Sequence, residues 1–141
     1  MFYEQRTTVP ETPAALRAEY DDRLASIIAS HDVGTVVERT GLDADTVDAI
    51  AAGDSPSLSL EDAAEIQALE DGEPDAETIV TIACEHLLLG MSSAVLDVDA
   101  VESYLEIDLD AKEVQQKIEQ RAPMSFEEYV HIQHVIVDQL P

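Results

Sequence analysis

The 141-residue sequence has no tryptophan, one cysteine, five glycines and only seven lysine or arginine residues. Because Cys84 is alone, no disulfide can form within the chain. There is no glycine-rich phosphate loop, no Cys-x-x-Cys pair, no zinc-protease motif and no nucleophile elbow. We therefore predict that the chain is not an enzyme, has no catalytic residues and needs no cofactor.

Long apolar runs are also missing. The longest mostly apolar stretch covers residues 87–98 and is interrupted by Gly90 and Asp97. It is far shorter than the roughly 20 residues that a membrane helix needs. Residues 1–6 contain no apolar signal core. We expect a cytoplasmic protein that does not contact a membrane.

Cations are scarce enough to dominate the charge of the chain. Thirty-one acidic residues against the seven basic ones give a formal net charge of −24. The acids are dispersed from Glu4 to Asp138, whereas an acidic tail for a basic partner would form a run. Such self-repulsion destabilises a folded chain, but about 1 M salt shortens the Debye length to about 3 Å. The pattern predicts a protein of a salt-accumulating archaeon, with mimicry of nucleic-acid charge as the alternative.

Aliphatic residues provide the material for a core. Hydrophobic residues make up 45% of the chain, and they recur at helical spacing without any strictly alternating stretch. The sequence therefore predicts an all-α, compact bundle of about eight helices, with two tandem helix-turn-helix-like units as one arrangement of that bundle. The expected organisation is an N-terminal arm over 1–13, a first unit over 14–69, a linker over 70–75 and a second unit over 76–141.

The two halves of the chain repeat one another. Leu42-Asp43-Ala44 recurs 67 residues later as Leu109-Asp110-Ala111, and a proline follows in each half. Past that proline the offset becomes 66, where Ser59-Leu60-Glu61-Asp62 corresponds to Ser125-Phe126-Glu127-Glu128. Both tetrapeptides have the form of a helix N-terminal capping box. We interpret the repeat as a duplicated helical unit with one deletion after the second proline.

A known pattern covers part of the first half. Thr40-Gly41-Leu42, then Val47, Gly53 and Pro56-Ser57-Leu58, resemble the Cro/lambda-repressor-like helix-turn-helix family over residues 24–69. A weaker echo covers residues 98–137. The whole chain also resembles small acidic haloarchaeal proteins of unknown function. The first resemblance implies that residues 44–52 form a recognition helix for the DNA major groove.

The charges on that helix are wrong for a DNA reader. Its outward residues include Asp43, Asp45 and Asp48, whereas phosphate contacts need cations or backbone amides. The equivalent helix, predicted over 110–121, carries side chains that suit base edges and phosphates better. These candidate nucleic-acid-binding residues are Lys112, Gln115, Gln116, Lys117 and Arg121. The alternative is a solvated helix face with an i,i+4 pair between Glu113 and Lys117.

The last predicted helix carries a possible metal site. Glu127, His131 and His134 lie on one helix face, and imidazole and carboxylate groups at this spacing can share a metal ion. The alternative is an ordinary polar face of the helix.

Three functions remain open. The leading hypothesis is a helix-turn-helix-derived regulatory or interaction protein, and in its DNA-binding form it is a dimer that contacts DNA through residues 110–121. The second is a helical module that binds protein and not DNA, with Leu87-Leu88-Leu89 central or at a homodimer interface. The third is a metal-binding helical protein.

Overall fold

Every helix begins directly after a serine, threonine or aspartate, and in all but the second helix that side chain accepts a backbone N–H of the first turn. Such caps satisfy donors that have no partner within the helix. The computed structural model describes residues 1–141 and contains no strand. Its helices are α1 (Pro13–Ala29), α2 (Val33–Thr40), α3 (Ala44–Ala51), α4 (Leu60–Gln67), α5 (Ala76–Ala94), α6 (Val98–Tyr104), α7 (Ala111–Ile118) and α8 (Phe126–Asp138). The predicted all-α fold with about eight helices is confirmed.

One hydrophobic core joins the two predicted units. A single cluster of 32 buried residues takes side chains from all eight helices. Residues 70–75 form a short turn between α4 and α5, in which Gly72 has a left-handed φ of 85°. The side-chain amide of Gln67 donates to Glu70 and Glu73 across this turn. The two halves therefore pack as parts of one body.

The N-terminal arm is packed against this core. Phe2 is buried, and its ring meets the ring of Phe126 edge-on at a centroid distance of 5.2 Å. Its carbonyl accepts the hydroxyl of Tyr129 at 2.8 Å. Tyr3 donates its hydroxyl to Glu73 in the turn between the halves.

Helix packing repeats from one half to the other. The contacts of α1 with α3 and α4 recur between α5 and its partners α7 and α8. The contacts of α2 with α3 and α4 recur between α6 and the helices α7 and α8. Across the halves, α4 packs on α5 as α8 packs on α1, while α4 and α8 contact each other. The arrangement has the pairing expected of a pseudo-two-fold axis that exchanges α1–α4 with α5–α8.

The axis passes between the two capping boxes. Ser59 and Ser125 form an isolated antiparallel bridge. The N–H of Leu60 donates to the carbonyl of Met124 at 2.9 Å, and the N–H of Phe126 donates to that of Leu58 at 2.8 Å. With an offset of 66 residues, these two hydrogen bonds exchange into one another. The sequence repeat therefore has a structural counterpart at the level of single backbone bonds.

The turns that end α3 and α7 also correspond. Gly53 and Gln120 both have positive φ, at 89° and 61°. Past them, Asp54 N donates to Ala49 O at 3.0 Å, and Arg121 N donates to its equivalent acceptor, the Gln116 carbonyl, at 2.8 Å. The left-handed residue ends α7 at Ile118, so the prediction that Arg121 lies on this helix is wrong.

No single helix is long and apolar enough to cross a membrane. Together, α5 and α6 meet that length and composition, but they are bent by 91° at the break between them.

Candidate functional site

The candidate nucleic-acid-binding residues do not form one free surface. Lys112 and Gln115 are exposed on α7, and Gln116 is half-buried. Arg121 is 64% exposed in the loop after α7 and pairs with Glu119 at 2.8 Å. Lys117 points away from solvent and is 15% exposed. Only part of the predicted surface is therefore available to a ligand.

Lys117 holds the second half together. Its ammonium donates to the Glu128 carboxylate at 2.9 Å and to the carbonyl of Pro123 at 2.8 Å. The predicted partner Glu113 is not among its contacts. Glu128 also accepts the N–H of Ser125, so the same carboxylate caps α8 and anchors the lysine. The contact ties α7 to the start of α8.

Most cations of the chain are used within the fold. The basic side chains found in ion pairs are Arg6, Arg17, Arg23, Lys117 and Arg121. Of the seven lysine and arginine residues, this leaves Arg39 and Lys112 without an acidic partner. A nucleic-acid surface needs several cations aimed at phosphates, and these two lie on different helices of opposite halves.

The proposed metal ligands are directed to different partners. Nε2 of His131 meets the Glu127 carboxylate at 3.0 Å, while Nε2 of His134 contacts the Pro10 carbonyl at 2.8 Å. No group of three or more His, Cys, Asp or Glu side chains is placed to hold a metal ion. The other oxygen of the Glu127 carboxylate accepts from Arg17. The three side chains thus serve the packing of α8, which binds the N-terminal arm and α1.

Arg17 forms a buried polar cluster in the first half. Its guanidinium donates to Asp21 at 2.9 Å, to Glu127 at 2.9 Å and to the Pro56 carbonyl at 2.8 Å. It also lies over the ring of Phe126, with 5.0 Å between the guanidinium carbon and the ring centroid. Arg17 therefore fills the space between α1, the turn before α4 and the start of α8.

The equivalent place in the second half is an open cleft. Aligning the N-caps Thr12 and Asp75 makes Val80 the counterpart of Arg17 and Cys84 the counterpart of Asp21. Leu60, Glu61 and Pro123 correspond to Phe126, Glu127 and Pro56. The cleft has a volume of about 350 Å³, and all five counterparts line it. Its remaining lining residues are Ser59, Lys117, Gln120, Arg121, Ala122 and Met124.

The thiol of Cys84, which lines this cleft, has low reactivity. Cys84 is buried, and burial raises the pKa of its thiol to about 11. The neutral thiol is a poor nucleophile at physiological pH. Cys84 therefore acts as a small apolar residue of the cleft wall.

The fold defines a class: an all-α protein made of two equivalent four-helix halves around one core. The chain belongs to a family of unknown function, DUF5791, whose model matches residues 16–139. This match includes both halves and the cleft. No curated protein and no solved structure matches the chain.

Sequence reasoning missed the Arg17 cluster and the cleft. Only the pair of Arg17 and Asp21, four residues apart, is visible in the sequence. The other partners lie far along the chain and depend on how the halves pack. The repeat contained a usable signal, because aligning α1 with α5 places Val80 opposite a charged residue.

Proposed function

We propose that the chain is a non-catalytic interaction protein, derived from a duplicated helix-turn-helix-like unit, that binds protein and not DNA. Its first partner is a second copy of the chain, bound through the outer face of α5. The proposal is carried by one observation: three of the six exposed large apolar side chains lie together where the acidic coat is interrupted. Leu88, Leu89 and Val95 are 46%, 53% and 90% exposed along the C-terminal half of α5 and its cap.

The charge distribution favours self-association at this face. From His86 to Leu96 the sequence has no acidic residue, which is the longest such interval in the chain. Two copies that each have a net charge of −24 repel one another over most of their surfaces. A two-fold contact places the same patch of each copy against the other. This face is therefore where two copies can meet with the least repulsion and the most apolar burial.

Sedimentation velocity over a range of protein concentrations tests the proposal. We expect a reversible dimer for the natural chain and a monomer for the Leu88→Glu, Leu89→Glu double variant. Val33→Glu is the matched control, because Val33 is also an exposed aliphatic residue but lies on α2. A monomer at all concentrations, or a dimer that withstands the double substitution, would contradict the proposed interface.

DNA binding through α7 is the second candidate function. It is favoured by the exposure of Lys112 and Gln115, two side chains that suit phosphates and base edges. It is disfavoured by the internal contacts of Lys117, which leave Lys112 as the one unpaired cation on α7. Anisotropy of labelled genomic fragments, at several concentrations of KCl, separates the two functions. Saturable binding that Lys112→Glu abolishes and Arg39→Glu leaves intact would support the DNA reader.

We also infer that the chain works in a salt-rich cell interior. The support is the dispersed acidic coat: only a minority of the 31 acids form ion pairs with the seven cations. The rest repel one another at low ionic strength and are screened at high ionic strength.

A further inference from the structure

The two halves of the chain differ most informatively at the position of Arg17. In the first half its guanidinium closes the gap between helices by contacting Asp21, Glu127 and Pro56. In the second half Val80 and Cys84 replace the arginine and the aspartate, and neither side chain can reach across. The gap between the helices is therefore closed by Arg17 in the first half and open in the second half.

In the second half a different residue, Lys117, donates to the carbonyl of the proline turn. The Pro123 carbonyl, which corresponds to the Pro56 carbonyl, accepts from Lys117 of α7 at 2.8 Å. The first-half counterpart of Lys117 is Ile50, which is buried and apolar. The proline turn is thus held by a cation in both halves, but in the second half the cation comes from the other side. The space that an arginine would fill from α5 stays free.

We propose that this cleft binds a small aliphatic carboxylate. Its volume of about 350 Å³ lies in the range of small-molecule sites. Leu60, Val80, Ala122 and Met124 supply apolar surface for the body of such a ligand. The cleft is too small for a folded partner, and its lining includes neither Leu88 nor Leu89.

The rim supplies donors for the carboxylate. Lys117 uses two of its three N–H groups within the fold, and Arg121 uses one terminal nitrogen for Glu119. Both side chains line the cleft, and Arg121 is 64% exposed. Glu61, the one acid of the lining, makes no ion pair; its repulsion grows with the negative charge of the ligand and so favours a monocarboxylate over a dicarboxylate. The cleft thus combines an apolar floor with spare cationic donors, a pairing that suits one carboxylate.

Titration of the full chain with octanoate, followed by amide chemical shifts, tests the proposal. Saturable shifts are expected at the amides of residues 120–122 and 124. Octan-1-ol and octylamine are matched in chain length and differ in the head group. Weaker binding of both is expected, and octylamine or octanol binding as tightly as octanoate would overturn the assignment of a carboxylate. Absence of saturable shifts with octanoate would overturn the site itself.

The sharpest variant gives the second half the arrangement of the first, in which an arginine on the long helix holds the proline turn. Val80→Arg combined with Lys117→Ile places the cation on α5, as in the first half, and leaves the net charge unchanged. The exchange should seal the cleft and abolish octanoate binding while helix content is kept. Octanoate affinity equal to that of the natural chain would contradict the location of the site.

A milder variant keeps the test valid if the exchange does not fold. Arg121→Gln removes a surface charge from the loop and should weaken octanoate binding about tenfold by loss of a charge-assisted contact. Arg23→Gln is the control, because Arg23 is a half-exposed arginine paired with Glu70 outside the cleft. Equal octanoate affinities of these two variants would contradict the assignment of Arg121 as a donor to the carboxylate.

Discussion

Arg17 is a guanidinium buried together with its counter-ion. Its side chain and that of Asp21 are both almost inaccessible to solvent. Replacing one partner of a buried pair leaves the other charge without compensation, which typically costs about 3–5 kcal/mol. We therefore expect Arg17→Met to lower the free energy of unfolding by roughly that amount. Equilibrium unfolding in urea, followed by circular dichroism, measures the change.

An exposed arginine provides the comparison. Arg23 pairs with Glu70 at 2.7 Å, but both side chains are substantially exposed. Such pairs contribute about 0–1 kcal/mol. Arg23→Met should therefore leave the unfolding midpoint nearly unchanged. Similar losses for the two variants would mean that burial does not set the strength of the Arg17 cluster.

Single residues also show what the sequence could and could not predict. The caps Ser59 and Ser125 are visible in the sequence because the capping hydrogen bonds are confined to one turn. The partners of Lys117 were not, because Glu113 lies one helical turn away while the partner in the structure, Glu128, belongs to the next helix. Local hydrogen bonds can be inferred from spacing, but the choice between two carboxylates depends on packing.

The close approach of α5 and α8 depends on one glycine. A Cβ atom added to Gly90 would lie 2.7 Å from Cγ2 of Ile136, a buried residue of α8. Overpacking of this kind costs about 1–3 kcal/mol. Gly90→Ala should therefore lower the free energy of unfolding, although alanine favours helix.

Gly34 in α2 is the matched control for this prediction. Nothing lies within 4 Å of a Cβ atom built at Gly34. Gly34→Ala should raise the free energy of unfolding by about 0.5–1 kcal/mol, since alanine restricts the unfolded chain. Thermal or urea unfolding of both variants gives the signs, and destabilisation by both would contradict the packing explanation.

The start of α8 should make stability depend on pH. Burial is the largest influence on Glu128 and opposes ionisation, but the Ser125 N–H and the Lys117 ammonium together outweigh it and hold the pKa of this carboxyl below its ordinary 4.5. A lowered folded-state pKa means stabilisation that is present above the ordinary pKa and lost as pH falls through the folded value. Glu128→Gln should cost about 1 kcal/mol near neutral pH and little in acid.

Unfolding free energies measured at a series of pH values test this dependence. The difference between the natural chain and Glu128→Gln should shrink as the pH falls below about 4. Glu113→Gln is the control, because Glu113 is exposed and its carboxylate has no ion-pair partner. A difference that stays constant into acid would exclude the ionised capping carboxylate as its source.

Helix positions were predictable from caps and apolar spacing, and helix ends less so. The helix expected over 110–121 ends at Ile118, because Gln120 adopts the left-handed conformation that glycine takes at the equivalent Gly53. A non-glycine residue at such a position gives no warning in the sequence. Comparison with the first half predicts this helix end, because the turns after α3 and α7 have equivalent hydrogen bonds.

The repeat makes the chain read as two units, although the two halves fold as one body. Neither half keeps its core to itself: α4 packs on α5, and α8 packs on α1. The boundary expected at 70–75 is a genuine turn, but it connects halves that share buried surface. Periodicity along the chain indicates the repeat, whereas packing across the two-fold axis depends on contacts between residues far apart in sequence.

The net charge of −24 predicts that the whole molecule is stabilised by salt. Many exposed acids lack an ion-pair partner, and their repulsion acts over about 10 Å at 0.1 M salt but only about 3 Å at 1 M. The urea midpoint should therefore rise steadily as KCl is raised through this range. A variant in which the exposed acids Asp22, Asp45 and Glu106 become amides should start from a higher midpoint and respond less. A midpoint independent of KCl, or an equal slope for the variant, would show that surface repulsion does not limit stability.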